Sequence, residues 1–135
     1  MAEKGEDIWK IRFDGIPLEQ VESELFAWAK KAVPESLSLS FWNTPFPTNL
    51  TMISRFTKLN ELILKNNGLR EISSTSSLKA NLRRFSIMNN QLTRIPFESI
   101  PEDGRVSFAN NYITNITNAY FNRRTFTLRL SLIHI

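Results

Sequence analysis

The sequence predicts an α/β solenoid, a curved parallel β-sheet entered through an N-terminal strand–helix cap and C-terminally incomplete. Three observations predict it. The apolar residues of the central stretch follow neither a steady two-residue nor a three-to-four-residue step, but a mixed spacing. That spacing comes back at intervals of 23 and 21 residues, and an asparagine marks the same place each time, at Asn67, Asn90 and Asn111. A unit that returns at a fixed interval cannot bury its own apolar face, so neighbouring units must stack to make one core.

Residues 1–35 form the cap. Residues 8–13 (IWKIRF) alternate like a strand, and Asp14-Gly15-Ile16-Pro17 is turn-like. Leu18, Val21, Leu25, Trp28, Ala29 and Ala32 then fall on one helical face, and Pro34 ends the helix. A strand followed by a helix, just ahead of the recurring units, is suited to close the open end of a stacked core.

Residues 36–129 hold about four units and the start of another. The clearest unit runs Leu59-x-x-Leu62-x-Leu64-x-x-Asn67-x-Leu69-x-x-Ile72. Taken alone, its Asn67-Gly68 pair is also a strong hairpin signal. The next units decide the matter. Leu82, Phe85, Ile87, Asn90, Leu92 and Ile95 match the template. So do Val106, Phe108, Asn111, Ile113 and Ile116, with Asp103 in the first position. The residue after the asparagine changes from Gly68 to Gln91 to Tyr112, so the asparagine recurs and the hairpin pair does not. A weaker copy lies upstream in Leu39, Phe41, Thr44 and Phe46. The predicted strands are 38–42, 61–65, 84–88 and 105–109, with another at 126–130. Leu62, Leu64, Leu69, Phe85, Ile87, Leu92, Val106, Phe108 and Ile113 point inward, each contributing roughly 1.5–3 kcal/mol on burial. Thr44, Asn67, Asn90 and Asn111 form a structural ladder. An amide both donates and accepts, so it is expected to satisfy backbone groups of its own turn and the next.

Over residues 36–117 the chain resembles the leucine-rich-repeat family, whose units carry Leu-x-x-Leu-x-Leu-x-x-Asn-x-Leu at about 20–29 residues. The unit length and the Ile95-Pro96-Phe97 step are similar to its extracellular members. More narrowly, residues 41–46 and 92–96 are similar to arthropod secreted leucine-rich-repeat proteins, a group often named after the non-catalytic subunit of a shrimp luciferase; that resemblance implies no catalysis. Extracellular members usually carry cysteine caps and a signal peptide, whereas this chain has no cysteine and begins with polar, charged residues. Localisation therefore stays open: extracellular if the N-terminus is incomplete, otherwise cytoplasmic. Asn49 and Asn115, in Asn49-Leu50-Thr51 and Asn115-Ile116-Thr117, are candidate glycosylation sites in the first case.

Composition narrows the chemistry. The hydrophobic share of 41% is enough for a packed core. The absence of cysteine removes disulfides, thiolate metal sites and thiol nucleophiles, and the single histidine is His134. No catalytic residue, cofactor or metal site is expected. No apolar run approaches the roughly eighteen residues of a membrane span. Residues 1–67 hold eight Lys/Arg against nine Asp/Glu, a balance of −1, and residues 68–135 hold nine against four, a balance of +5. That lean favours an acidic partner surface but is mild for nucleic acid, and none is expected. Residues 130–135 (LSLIHI) look like the conceptual translation of a sequencing adapter, and the sequence reads them as a non-native tail interrupting the next strand.

Function is then expected on the concave face, at the strand positions between the inward residues: Trp42, Glu61, Ile63, Lys65, Arg84, Ser86, Met88, Arg105 and Ser107, with Ser38, Ser40 and Ala109 alongside. Arg84 and Arg105 make a basic column beside Glu61, and Trp42, Ile63 and Met88 an exposed apolar row; Trp and Arg are favoured interface anchors. The expected function is a non-catalytic protein-binding module. The alternative is a structural subunit that stabilises an enzyme complex, and an enzyme is the least favoured reading. Oligomeric state is not legible.

Overall fold

Six strands join one sheet in the order in which the chain makes them. The computed structural model describes residues 8–31, 36–50, 53, 56, 58–73, 82–95, 104–113 and 126–130; for residues 8, 29–31, 104 and 126–130 only the backbone is described. The elements are β1 (Ile8–Asp14), α1 (Leu18–Lys31), β2 (Ser36–Trp42), β3 (Leu59–Lys65), β4 (Arg84–Met88), β5 (Gly104–Phe108) and β6 (Phe126–Leu130). Every neighbouring pair from β1–β2 to β5–β6 is parallel, giving an α/β arrangement with one helix among the described residues. The parallel pairing of β3 with β2 and β4 leaves no hairpin at Asn67-Gly68.

Strand β4 has the expected bounds. Strands β2 and β3 begin earlier, because Leu37 pairs with Leu59 across an irregularity between Leu37 and Ser38. Strand β5 is shifted back one residue from the expected 105–109. Ala109 lies in the turn, its carbonyl still accepting the Asn89 N–H at 3.1 Å. Leu130, assigned to the tail on sequence, closes β6, while residues 131–135 lie outside the described residues.

One face of the sheet is apolar. Leu37, Leu39 and Phe41 of β2, Leu62 and Leu64 of β3, Phe85 and Ile87 of β4 and Val106 and Phe108 of β5 are buried in one cluster, as expected for the inward positions. Leu69, Leu92 and Ile113 enter it from just beyond the strands, and Leu50, Ile53, Phe56, Ile72, Leu82 and Ile95 fill it further round. Phe13 stacks on Phe41 with ring centroids 5.0 Å apart, and Phe85 meets Phe108 edge to face at 6.4 Å.

Helix α1 starts after Pro17, a residue suited to a helix start because its missing N–H has no helical acceptor. Leu18 and Leu25 are buried and Val21 and Trp28 half-buried on one face; Ala32 and Pro34 lie outside the described residues. Phe26 packs on Phe56 and Trp28 on Trp9 of β1, both edge to face, which ties the helix to the sheet core. The expected cap is thus continuous with the sheet: β1 pairs with β2 residue for residue from Ile8–Ser36 to Asp14–Trp42.

Candidate functional site

The chain turns after each of β1 to β5 with the same device. The residue after β1 is Gly15, at φ +73°; after β2, β3 and β4 come Asn43, Asn66 and Asn89, and Asn110 follows just beyond β5, at φ between +55° and +59°. Asparagine is one of the few side-chain-bearing residues that accept this left-handed backbone. The backbone N–H of Gly15, Asn43, Asn66 and Asn89 reaches the carbonyl of Trp42, Lys65, Met88 and Ala109 respectively, at 2.8–3.1 Å.

The next residue turns inward. Thr44, Asn67, Asn90 and Asn111 are all buried, as the expected ladder requires. Asn90 is fully engaged. Its Oδ1 accepts from the backbone N–H of Asn67 (2.9 Å) and Leu69 (3.1 Å), and its Nδ2 donates to the carbonyls of Leu64 (3.0 Å) and Met88 (2.9 Å). Asn111 accepts from Leu92 N–H at 3.1 Å and donates to Ile87 and Phe108 carbonyls at 2.8 and 3.0 Å. These bonds correct one expectation: each amide ties its own turn to the preceding one, not to the next. Tilted back along the stack, the side chain meets the strand end and turn already laid down. Asn67 donates to the carbonyls of Phe41 (3.3 Å) and Thr44 (2.6 Å), but its Oδ1 is buried without a partner. The position equivalent to Leu69 and Leu92 is there Phe46, behind Pro45, and its N–H does not reach that oxygen.

The face of the sheet opposite the core carries the predicted partner-binding residues, ordered by register into three rows. The first contains Lys10, Ser38, Glu61, Arg84 and Arg105; the second Arg12, Ser40, Ile63, Ser86 and Ser107; the third Asp14, Trp42, Lys65 and Met88.

The rows are closed at the β1–β2 end. Ser38 and Ser40, expected at the surface, are only 7% exposed, because Glu61 of the next strand and Trp42 of their own reach over them. Ser38 Oγ donates to Glu61 Oε1 at 2.7 Å, and Trp42 Nε1 donates to Ser40 Oγ. The Arg12 guanidinium lies 3.7 Å and the Lys65 ammonium 4.4 Å from the Trp42 ring centroid. The exposed apolar row is corrected accordingly: Trp42, Ile63 and Met88 are half-buried, and Trp42 is held between two cations. Arg12 also donates to Asp14 at 3.5 Å. The Asn43 amide, at 2.9 Å, holds the Asp14 carboxyl below its ordinary value against an opposing desolvation, and Arg12 adds to the lowering.

Between β3 and β5 the same face is open. Glu61, Arg84, Ser86, Met88, Arg105 and Ser107 line a depression of about 420 Å³, which gathers six of the nine predicted partner-binding residues; Trp42, Ile63 and Lys65 lie outside its lining. Arg84 and Arg105 are exposed register neighbours, and neither guanidinium forms a hydrogen bond or ion pair with a described residue. The lining offers guanidinium donors, hydroxyls and a thioether, groups that hold a ligand by charge, hydrogen bonding and contact.

A second asparagine column went unread in the sequence. Asn66 Nδ2 donates to Asn43 Oδ1 at 2.7 Å, Asn43 donates to Asp14, and Asn110 donates to Asn89 at 3.0 Å, all on the exposed side of the turns. The signal was the doubled asparagine of each unit. Of the candidate glycosylation sites, Asn49 is exposed while its partner Thr51 lies outside the described residues, as does Asn115. Among the described residues no group of three or more His, Cys, Asp or Glu side chains gathers to hold a metal, and no helix is long and apolar enough to cross a membrane. No protein-family model, curated protein or solved structure matches the chain.

Proposed function

We propose that the chain is a leucine-rich-repeat solenoid that binds a protein partner through the concave face of its sheet and catalyses no reaction. Parallel strands added in chain order, a left-handed residue at the turn after each of β1 to β5, and a buried asparagine bonded back toward the preceding unit in three successive units all support the solenoid. The observation that carries the function is the depression before β3–β5, where two exposed arginine side chains stand side by side without a partner among the described residues, in the same depression as half-buried Met88. An arginine pair beside an apolar group is a favoured anchor for a protein surface. At the neighbouring β1–β2 end Arg12, Asp14, Ser38, Ser40 and Trp42 are answered within the chain.

The test is affinity capture of the partner from native extract with the full chain and its Arg84→Glu, Met88→Glu variant. Both positions face away from the core, so circular dichroism and the melting temperature are expected to stay unchanged while the captured protein is lost. Equal capture by both proteins counts against the reading. A structural subunit of a lasting complex differs from a transient binder only in permanence. A native particle that stays large on dilution selects the subunit reading.

A further inference from the structure

We propose that the depression takes an extended acidic segment of a protein partner, one carboxylate over Arg84 and Arg105 and an apolar side chain against Met88. This rests on the partner-face reading and adds the chemistry of what binds. The parallel register sets Arg84 beside Arg105 and Ser86 beside Ser107. Neighbouring strands are about 4.8 Å apart, so the two arginine side chains leave the sheet side by side, and the two serines do so one pleat further on, about 6.6 Å along. Like charges directly across a strand pair are unfavourable on their own. Elsewhere on this face Arg12 meets Asp14 and the Trp42 ring, and Lys65 lies over the same ring. Glu61 is the register neighbour of Arg84 yet forms no ion pair with it, and accepts instead from Ser38. Among the described residues no anion answers the arginine pair.

The surroundings select its source. Guanidinium forks match a carboxylate with two parallel hydrogen bonds. Glu61 at one side repels a continuous polyanion, in which one phosphate follows another every few ångströms, but leaves room for a single carboxylate. Met88 adds an apolar contact that a nucleic-acid backbone does not use. From Arg84 to Met88 is four strand residues, about 13 Å. A segment running along the strands thus carries its acid and its apolar residue four positions apart, with a small polar residue over the serines.

The test is panning a random peptide library on phage against the immobilised full chain, then fluorescence polarisation of the enriched peptides. Enrichment of an acidic residue four positions from an apolar one is expected. Arg84→Gln and Arg105→Gln should each weaken binding about tenfold, and rising salt should weaken it further. No enrichment, enriched peptides without an acidic residue, or tighter binding of a single-stranded oligonucleotide overturns the proposal. If Met88→Glu abolishes peptide binding while the double Arg→Gln variant keeps it, the partner face stands and the acidic assignment falls. If both variants keep it, both fall.

Discussion

Adjacent asparagines in this chain do two different jobs. In the buried column, Asn90 and Asn111 serve as connectors: each amide accepts from N–H groups of the preceding turn and donates to carbonyls near the ends of two successive strands. In the exposed column, Asn43, Asn66, Asn89 and Asn110 are chosen for the backbone, since each sits at a φ that most residues resist. Their side-chain bonds to one another lie at the surface and compete with water. One residue of displacement separates a role enforced by desolvation from a role enforced by backbone sterics.

The largest expected effect comes from breaking the buried column where it is complete. Asn90→Ala strips partners from the N–H groups of Asn67 and Leu69 and from the Leu64 carbonyl. It should lower stability by about 3 kcal/mol, read from the denaturant midpoint. A loss under about 1 kcal/mol removes the distinction between the columns. Asn67→Ala should cost less, about 1–2 kcal/mol, because its oxygen is already unpaired and only its donor side is lost. Equal costs at the two positions contradict the one-sided bonding at Asn67.

The exposed column should respond to backbone preference and not to polarity. Asn66→Gly is expected within about 0.5 kcal/mol of the wild type, and Asn66→Val to cost about 1–2 kcal/mol, since a β-branched residue resists φ +56°. The reverse order shows that the Asn66–Asn43 bond matters more than the turn.

The smallest effect concerns the end of that column. The Asp14 carboxyl is held below its ordinary value of 3.8, chiefly by the Asn43 amide and then by Arg12. A depressed carboxylate contributes stability that is present above its unfolded pKa and lost as pH falls through its folded one. The melting-temperature difference between wild type and Asp14→Asn should be small and constant from about pH 8 to 5, and fade only below the ordinary aspartate range. A difference that changes near neutral pH assigns the effect to another group.

Much of this was legible in the residues. Leu62 and Leu64, Phe85 and Ile87, and Val106 and Phe108 declare the core face, because alternation along a strand assigns a side chain to one side whatever lies beyond it. The same alternation placed Arg84, Ser86, Met88, Arg105 and Ser107 together on the other face. The inward asparagines were legible because a polar residue recurring at a fixed place in an apolar pattern needs a backbone partner. Less visible was the left-handed turn residue, although Asn43 and the first of each Asn-Asn pair announced it.

By itself, then, the sequence determined which side chains turn inward, where the chain turns and how often the unit returns, since these follow from local spacing and backbone sterics. Tertiary structure alone decided who meets whom: that Arg12 and Lys65 both reach the Trp42 ring, that Ser38 closes on Glu61, that the amides reach backward, and that no described side chain answers Arg84 and Arg105. Those pairings join residues from different strands, and the register that brings them together comes from packing the whole core.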